Sequence, residues 1–255
     1  MSTPSISRSW VTFPKPIPKA QIRLFCFPYA GSGASLFRTW PDELPSEVEV
    51  CPIQLPGRED RLKDVPFTQI APLVETVANV IYPYLDKPFC FFGHSMGALI
   101  AFELTRHLHK QYELDALHLF ISACCAPQLI NRSPTILLLS DTELLKELHN
   151  LNGIPEAILQ NDELMRLLLP VLRADFTLCE TYVYVPGESL PCSLSILGGL
   201  EDREIRNEEL AAWGKQTQKT FTLRLFPGDH FFLHSMRSLL LQAISQDVSP
   251  FIVKD

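Results

Sequence analysis

With 255 residues, 46% of them hydrophobic, the chain can bury a full core and suits one large α/β domain over residues 1–255 better than two equal ones. A net charge of −7 and a pI near 5.5, with no run of Lys and Arg, exclude an electrostatic case for nucleic acid or an anionic membrane as partner. The first twenty residues lack the charged start and apolar core of a signal peptide, and no window is long and apolar enough to span a membrane, so a soluble cytoplasmic protein is expected. The seven cysteines fit that compartment. Cys26, Cys51, Cys90 and Cys192 lie in or beside apolar strand-like runs, and the adjacent Cys124 and Cys125 lack metal-ligand spacing.

In chain order, Pro14, Pro16 and Pro18 make the segment through Ala20 an extended lead-in. Gln21 to Phe27 reads as a strand ending at Pro28, followed by Tyr29-Ala30-Gly31-Ser32-Gly33, small residues that let backbone N–H groups face a ligand. Val48 to Gln54 is the next strand, closed by Leu55-Pro56-Gly57-Arg58-Glu59. Thr68 to Leu85 carries Ile70, Leu73, Val74, Val77, Val80 and Ile81 at helical spacing.

The run from Phe89 to Phe102 is an aromatic-rich apolar stretch, then Gly93-His94-Ser95-Met96-Gly97, then apolar residues at helical spacing. Strand, sharp turn and helix in that order make a nucleophile elbow, in which Gly93 and Gly97 leave room for Ser95 to hold a strained conformation above the end of a sheet. Ala116 to Ala123 is a further buried strand. Strands alternating with helices argue for a largely parallel sheet covered on both faces.

Between Cys125 and Pro191 the alternation stops. Ser140 and Glu143 form a capping box before Leu144, Leu145, Leu148 and Leu151, and Asn152-Gly153 ends that helix. Asn161 caps a second helix carrying Leu164, Leu167, Leu168, Val171, Leu172 and Phe176, which Pro170 either kinks or divides. This insertion, residues 126–190, is expected to roof the site beside Ser95 as a helical lid, with some of its leucines packed on the body. Ser193 to Leu197 and Thr220 to Phe226 are the last strands, and a helix near His234 to Val248 closes the chain.

A serine needs an imidazole to take its proton and a carboxylate to orient that imidazole. Ser95, Asp202 and His230 each follow a strand, in the chain order that an elbow-type hydrolase uses. His234 competes with His230, while Asp175, Glu201 and Asp229 are weaker rivals to Asp202. His94 is read as structural, and His107, His109, His118 and His149 as core or surface residues. The oxyanion needs two donors: the Met96 amide after the nucleophile, and one from the loop after the first strand, Ala30 or alternatively Tyr29. With no cluster at metal-ligand spacing, neither a metal nor a bound cofactor is expected.

Taken together, Phe27-Pro28-Tyr29-Ala30-Gly31, Leu55-Pro56-Gly57-Arg58-Glu59, Phe92-Gly93-His94-Ser95-Met96-Gly97, Arg173-Ala174-Asp175 and Gly228-Asp229-His230-Phe231 resemble the type II thioesterases of nonribosomal peptide and polyketide synthesis, nearly end to end. The resemblance implies an α/β-hydrolase fold with a helical lid. It further implies hydrolysis of acyl groups held as thioesters on the phosphopantetheine arm of acyl- or peptidyl-carrier protein domains, in an editing role for the assembly line. It carries over the triad as Ser95, Asp202 and His230, with Met96 and Ala30 as oxyanion donors; Tyr29, where many members have another residue, keeps the first donor open. Transient docking to an acidic carrier is expected to use Arg58, Arg61, Arg203 or Arg206, by a monomer. The alternatives are an esterase or lipase on small diffusible esters, a hydrolase-fold binding module without chemistry, and a chain-releasing synthase domain, against which a free-standing chain of this size is expected.

Overall fold

The computed structural model describes residues 9–130, 139–150 and 161–253. Its frame is a six-stranded, wholly parallel sheet of β1 (Ile22–Phe27), β2 (Val48–Pro52), β3 (Phe89–His94), β4 (His118–Ser122), β5 (Ser193–Gly199) and β6 (Phe221–Phe226), in the order β2-β1-β3-β4-β5-β6. The strands read as unbroken apolar runs because both faces are buried. Phe25, Phe27, Phe91, Leu119 and Ile121 point to one face, against α1 (Ile70–Ile81) and α2 (Met96–Tyr112). Their neighbours Leu24, Cys26, Cys90, Phe92 and Phe120 point to the other, against Phe37, Trp40 and Leu240, Leu241 and Ile244 of the C-terminal helix.

Between β4 and β5 run α3 (Asp141–Asn150) and α4 (Asp162–Glu180). The Ser140 amide donates to Glu143 Oε2 at 2.8 Å and the Glu143 amide to Ser140 Oγ at 3.3 Å, closing the expected capping box. Asn161 Oδ1 accepts from the Glu163 and Leu164 amides, each at 3.1 Å. The stop at Asn152-Gly153 lies outside the described residues. Pro170 does not divide α4, which is continuous for 19 residues. An interior proline, which removes a backbone bond and crowds the preceding turn, costs about 3 kcal/mol, and the burial of Val171, Leu172 and Leu178 beyond it works against that cost.

Two elements differ from expectation. A short helix, α5 (Asn207–Ala211), fills the crossover between β5 and β6, where a five-residue element leaves too little periodicity to be read. The last helix is broken into α6 (Phe232–Ser235) and α7 (Arg237–Val248) at Met236. Among the described residues no helix is long and apolar enough to cross a membrane.

A polar network pins α7 to the sheet. His118 Nε2 lies 2.9 Å from Ser195 Oγ, which donates to Asp247 Oδ2 at 2.6 Å, and Arg224 grips both oxygens of Asp247 at 2.6 Å. Burial alone would raise the Asp247 carboxyl, but hydrogen bonds from Arg224 and Ser195 outweigh it and hold it low. Burial is also the largest influence on His118, lowering it from 6.5 to about 4. An imidazole held below its unfolded value contributes stability above that value and loses it as pH falls toward the folded one. Wild-type protein should therefore lose on the order of 2 kcal/mol more than His118→Gln between pH 6.5 and pH 4, read from urea midpoints. Equal losses in the two proteins would contradict this role.

Candidate active site

The turn between β3 and α2 puts Ser95 at φ 53° and ψ −115°, a region costly for any residue with a side chain. Its amide donates to the Ser122 carbonyl at the end of β4, 2.8 Å away. A methyl group at Gly97 would lie 2.2 Å from the Phe27 carbonyl oxygen, and one at Gly93 would lie 2.2 Å from the carbonyl of Gly97. Both glycines are thus required by the closeness of backbone to backbone at the crossing of β1, β3 and α2.

Asp202 and His230 come from the carboxyl ends of β5 and β6. The loops after these strands are stitched together by bonds from the Leu200 amide to Phe226 O (2.8 Å) and from the Glu201 amide to Gly228 O (2.9 Å). His230 Nδ1 lies 2.9 Å from Asp202 Oδ2, and the other oxygen accepts from the amides of Glu204 (2.8 Å) and Ile205 (3.2 Å). The Asp202 side chain is 2% exposed. A carboxylate so fixed accepts a hydrogen bond from the Nδ1–H of the ring, which leaves Nε2 as the ring's acceptor.

Ser95 and His230 line one cavity of about 110 Å³, together with Ala30, Met96, Leu99, Leu172, Phe176 and Ile205. No hydrogen bond joins Ser95 Oγ to His230 among the described residues. Met96 and Ala30 line the same cavity, and their amides make no bond to another described residue. The Gly31 amide, by contrast, donates to Asp175 Oδ2 at 2.7 Å.

The rival residues are engaged elsewhere. His94 is fully buried, with Nδ1 2.9 Å from Ser122 Oγ; burial, helped by His230 and His234, holds it well below the usual imidazole range, so it is neutral. His234 stands on α6 with Nε2 3.1 Å from the Tyr29 hydroxyl, and burial lowers it too. Asp229 is exposed and accepts from the Phe231 amide, and Glu201 is exposed. Asp175 is buried against Arg58, whose guanidinium reaches its two oxygens at 2.7 and 2.9 Å. This corrects the expectation for two docking arginines. Arg58 is only 5% exposed, and Arg61 is buried over the Trp10 ring and paired with Asp64, whereas Arg203 and Arg206 are exposed.

Residues 22–248 match the family model of the thioesterase domain. The chain belongs to the thioesterase family. Gramicidin S biosynthesis protein GrsT of Aneurinibacillus migulanus is 45% identical over 88% of this chain and 87% of its own. A Brevibacillus parabrevis protein named linear gramicidin dehydrogenase LgrE is 42% identical over 96% and 94%, its name standing apart from the chemistry of the family. Among solved structures, the type II thioesterase BorB from the borrelidin biosynthetic cluster superimposes with a TM-score of 0.87 at 35% identity, covering 94% of this chain and 97% of that one. The thioesterase therefore has the α/β-hydrolase fold and is a serine hydrolase, and its likeness to the type II enzymes of nonribosomal peptide and polyketide synthesis extends along nearly its whole length.

Sequence patterns missed the aromatic wall around His230. Its ring centroid lies 5.4 Å from that of His94 and 5.1 Å from Phe231, which in turn packs edge-on to Tyr29 at 5.1 Å. The one signal was the clustering of aromatics after Gly228. In this thioesterase, Gly97→Ala forces a methyl into the Phe27 carbonyl, and the backbone must give way. It should lower the melting midpoint by roughly 5 °C and slow labelling of the serine by a fluorophosphonate at least about ten-fold. Unchanged melting and labelling would refute the tight crossing.

Proposed function

We propose that this thioesterase hydrolyses acyl groups from the phosphopantetheine arm of carrier protein domains, with Ser95, His230 and Asp202 as its catalytic triad. The observation that carries the proposal is the Asp202–His230 hydrogen bond of 2.9 Å beside a cavity that Ser95 also lines. Apo hydrogen bonds between nucleophile and base are often unmade and tighten when substrate binds, and Ser95 and His230 line the same cavity.

Ser95 Oγ attacks the thioester carbonyl while His230 Nε2 takes its proton, and Asp202 stabilises the imidazolium. The Met96 amide at the start of α2 and the Ala30 amide hold the oxyanion, with Tyr29 the alternative to Ala30. Collapse breaks the carbon–sulfur bond, and His230 returns the proton to the departing thiolate. Water then attacks the acyl-serine, again with His230 as base, releasing the carboxylic acid and restoring Ser95. A thiol of pKa about 8.5 leaves readily, which makes deacylation the harder half. The chemistry calls for no metal and no cofactor of the enzyme's own, since phosphopantetheine arrives with the partner.

The wall of Leu99, Leu172, Phe176 and Ile205 supports an uncharged acyl chain as occupant. Helix α4 contributes two of those four residues, which supports a lid role for the segment between β4 and β5. For the carrier, the exposed Arg203 and Arg206 flank the cavity-lining Glu204 and Ile205 and offer positive charge to an acidic partner, Arg206 while also paired with Glu209 at 3.3 Å, in weak and salt-sensitive contact. In this reading the enzyme clears aberrant or stalled acyl groups from the assembly line, a role that the likeness to type II thioesterases supports.

Comparing kcat/KM on an acyl-carrier protein with that on the matching free oxygen ester tests the substrate class. A preference for the carrier-bound thioester is expected, and equal or reversed rates would point to a diffusible-ester hydrolase. Ser95→Ala should abolish both activities, and full turnover in that variant would overturn the triad. Arg203→Glu with Arg206→Glu should raise KM for the carrier-bound substrate by roughly two- to ten-fold and leave the free ester unaffected; no change on the carrier would exclude this docking face.

A further inference from the structure

Two motifs that the acyl chemistry leaves unused meet behind the loop after β1. Tyr29 to Ser32 form a tight turn closed by a bond from the Ser32 amide to the Tyr29 carbonyl, 3.1 Å long, and Gly31 at its third position has φ 78°, as a type II turn requires. Because a trans peptide sets N–H opposite C=O, a Tyr29 carbonyl turned inward to Ser32 sends the Ala30 N–H the other way. The turn thus decides where that donor points.

Asp175 and Arg58 hold the turn from outside. Asp175 Oδ2 accepts the Gly31 amide at 2.7 Å, and Arg58 donates both to Asp175 and to the Ser32 carbonyl, 3.1 Å away. The same segment adds further ties: Gln54 accepts the Ala34 amide at 2.6 Å and donates to the Arg58 carbonyl, and Glu59 accepts from Ser35. Asp175 sits on α4, three residues beyond Leu172, whose side chain reaches both the active-site cavity and Gly31. One helix therefore touches the acyl cavity and the turn at once.

We propose that Asp175 and Arg58 are positioning residues that tie the Ala30 oxyanion donor to the seating of α4. When α4 is seated, Asp175 fixes the Gly31 peptide and the Ala30 N–H faces the cavity; when α4 shifts, the turn loses its anchor and the donor its direction. The inference rests on Ser95 as nucleophile and Ala30 as donor. A brace with no such role would affect stability alone.

Two variants separate the cases. Asp175→Asn leaves Arg58 buried beside a neutral partner, while Arg58→Met/Asp175→Leu replaces the ion pair with apolar packing that folded proteins commonly tolerate, yet removes the Gly31 acceptor. The readouts are kcat and KM on an acyl-pantetheine thioester, the melting midpoint, and the rate at which a fluorophosphonate phosphonylates Ser95. In that labelling step an O–P bond forms, the P–F bond breaks, and the serine proton leaves through His230 with fluoride as counter-ion. The double variant should lose about 100-fold in kcat and in phosphonylation rate, as loss of one oxyanion donor does, with KM within about two-fold of wild type; Asp175→Asn, whose amide oxygen can still accept the Gly31 N–H, should lose less in both rates than the double variant. Should Asp175→Asn fail to fold, the apolar pair carries the test. A folded double variant with wild-type kcat and labelling rate, or a loss confined to KM, would overturn the proposal. Wild-type protein labelled no faster than Ser95→Ala would instead sink the nucleophile assignment beneath it.

Discussion

The positive φ of Ser95 is the constraint on which the rest of the site depends. A residue with a side chain in that region costs on the order of 1–3 kcal/mol, and it persists because its surroundings leave no other path. The Ser95 amide is bound by the Ser122 carbonyl of β4, α2 begins at the next residue, and Gly97 lies against the Phe27 carbonyl of β1. Three parallel strands thus meet at one turn. The same meeting brings Met96 and Ala30 to one cavity, since the first belongs to the helix that the turn starts and the second to the loop that β1 ends in.

Electrostatics follow from this geometry. Two imidazoles lie close together, with His94 and His230 ring centroids 5.4 Å apart, and both cannot be charged at little cost. Burial keeps His94 neutral and bonded to Ser122, while of the two rings it is His230 that the Asp202 carboxylate binds. The difference between the two rings is therefore a difference of partners: a hydroxyl for the one that only packs, a carboxylate for the one proposed to take a proton.

Features local in sequence were legible in it. The elbow, the parallel strands and the Ser140–Glu143 box each depend on residues within a few positions of one another, and strand, helix and cap appear where pattern and spacing predicted. The order Ser95, Asp202, His230 was readable because each follows a strand, and the structure brings the last two into contact. What escaped depends on distant pairs. Arg58 looked like a surface charge in a polar turn, and only the fold shows its partner 117 residues away. The His118–Ser195–Asp247–Arg224 network joins three strands and a helix and leaves no periodic trace. Pro170 reads as a helix breaker by its chemistry, and the packing that overrides it belongs to the assembled molecule.

Whether Ser95 carries the acyl group is open to direct measurement. A single turnover of acyl-carrier protein, quenched in acid during the reaction and analysed by peptide mass mapping, should show the acyl mass transiently on Ser95 and on no other residue, and not at all in Ser95→Ala. An adduct on a cavity cysteine such as Cys124 or Cys125, or steady hydrolysis in Ser95→Ala with no adduct formed, would contradict the serine mechanism.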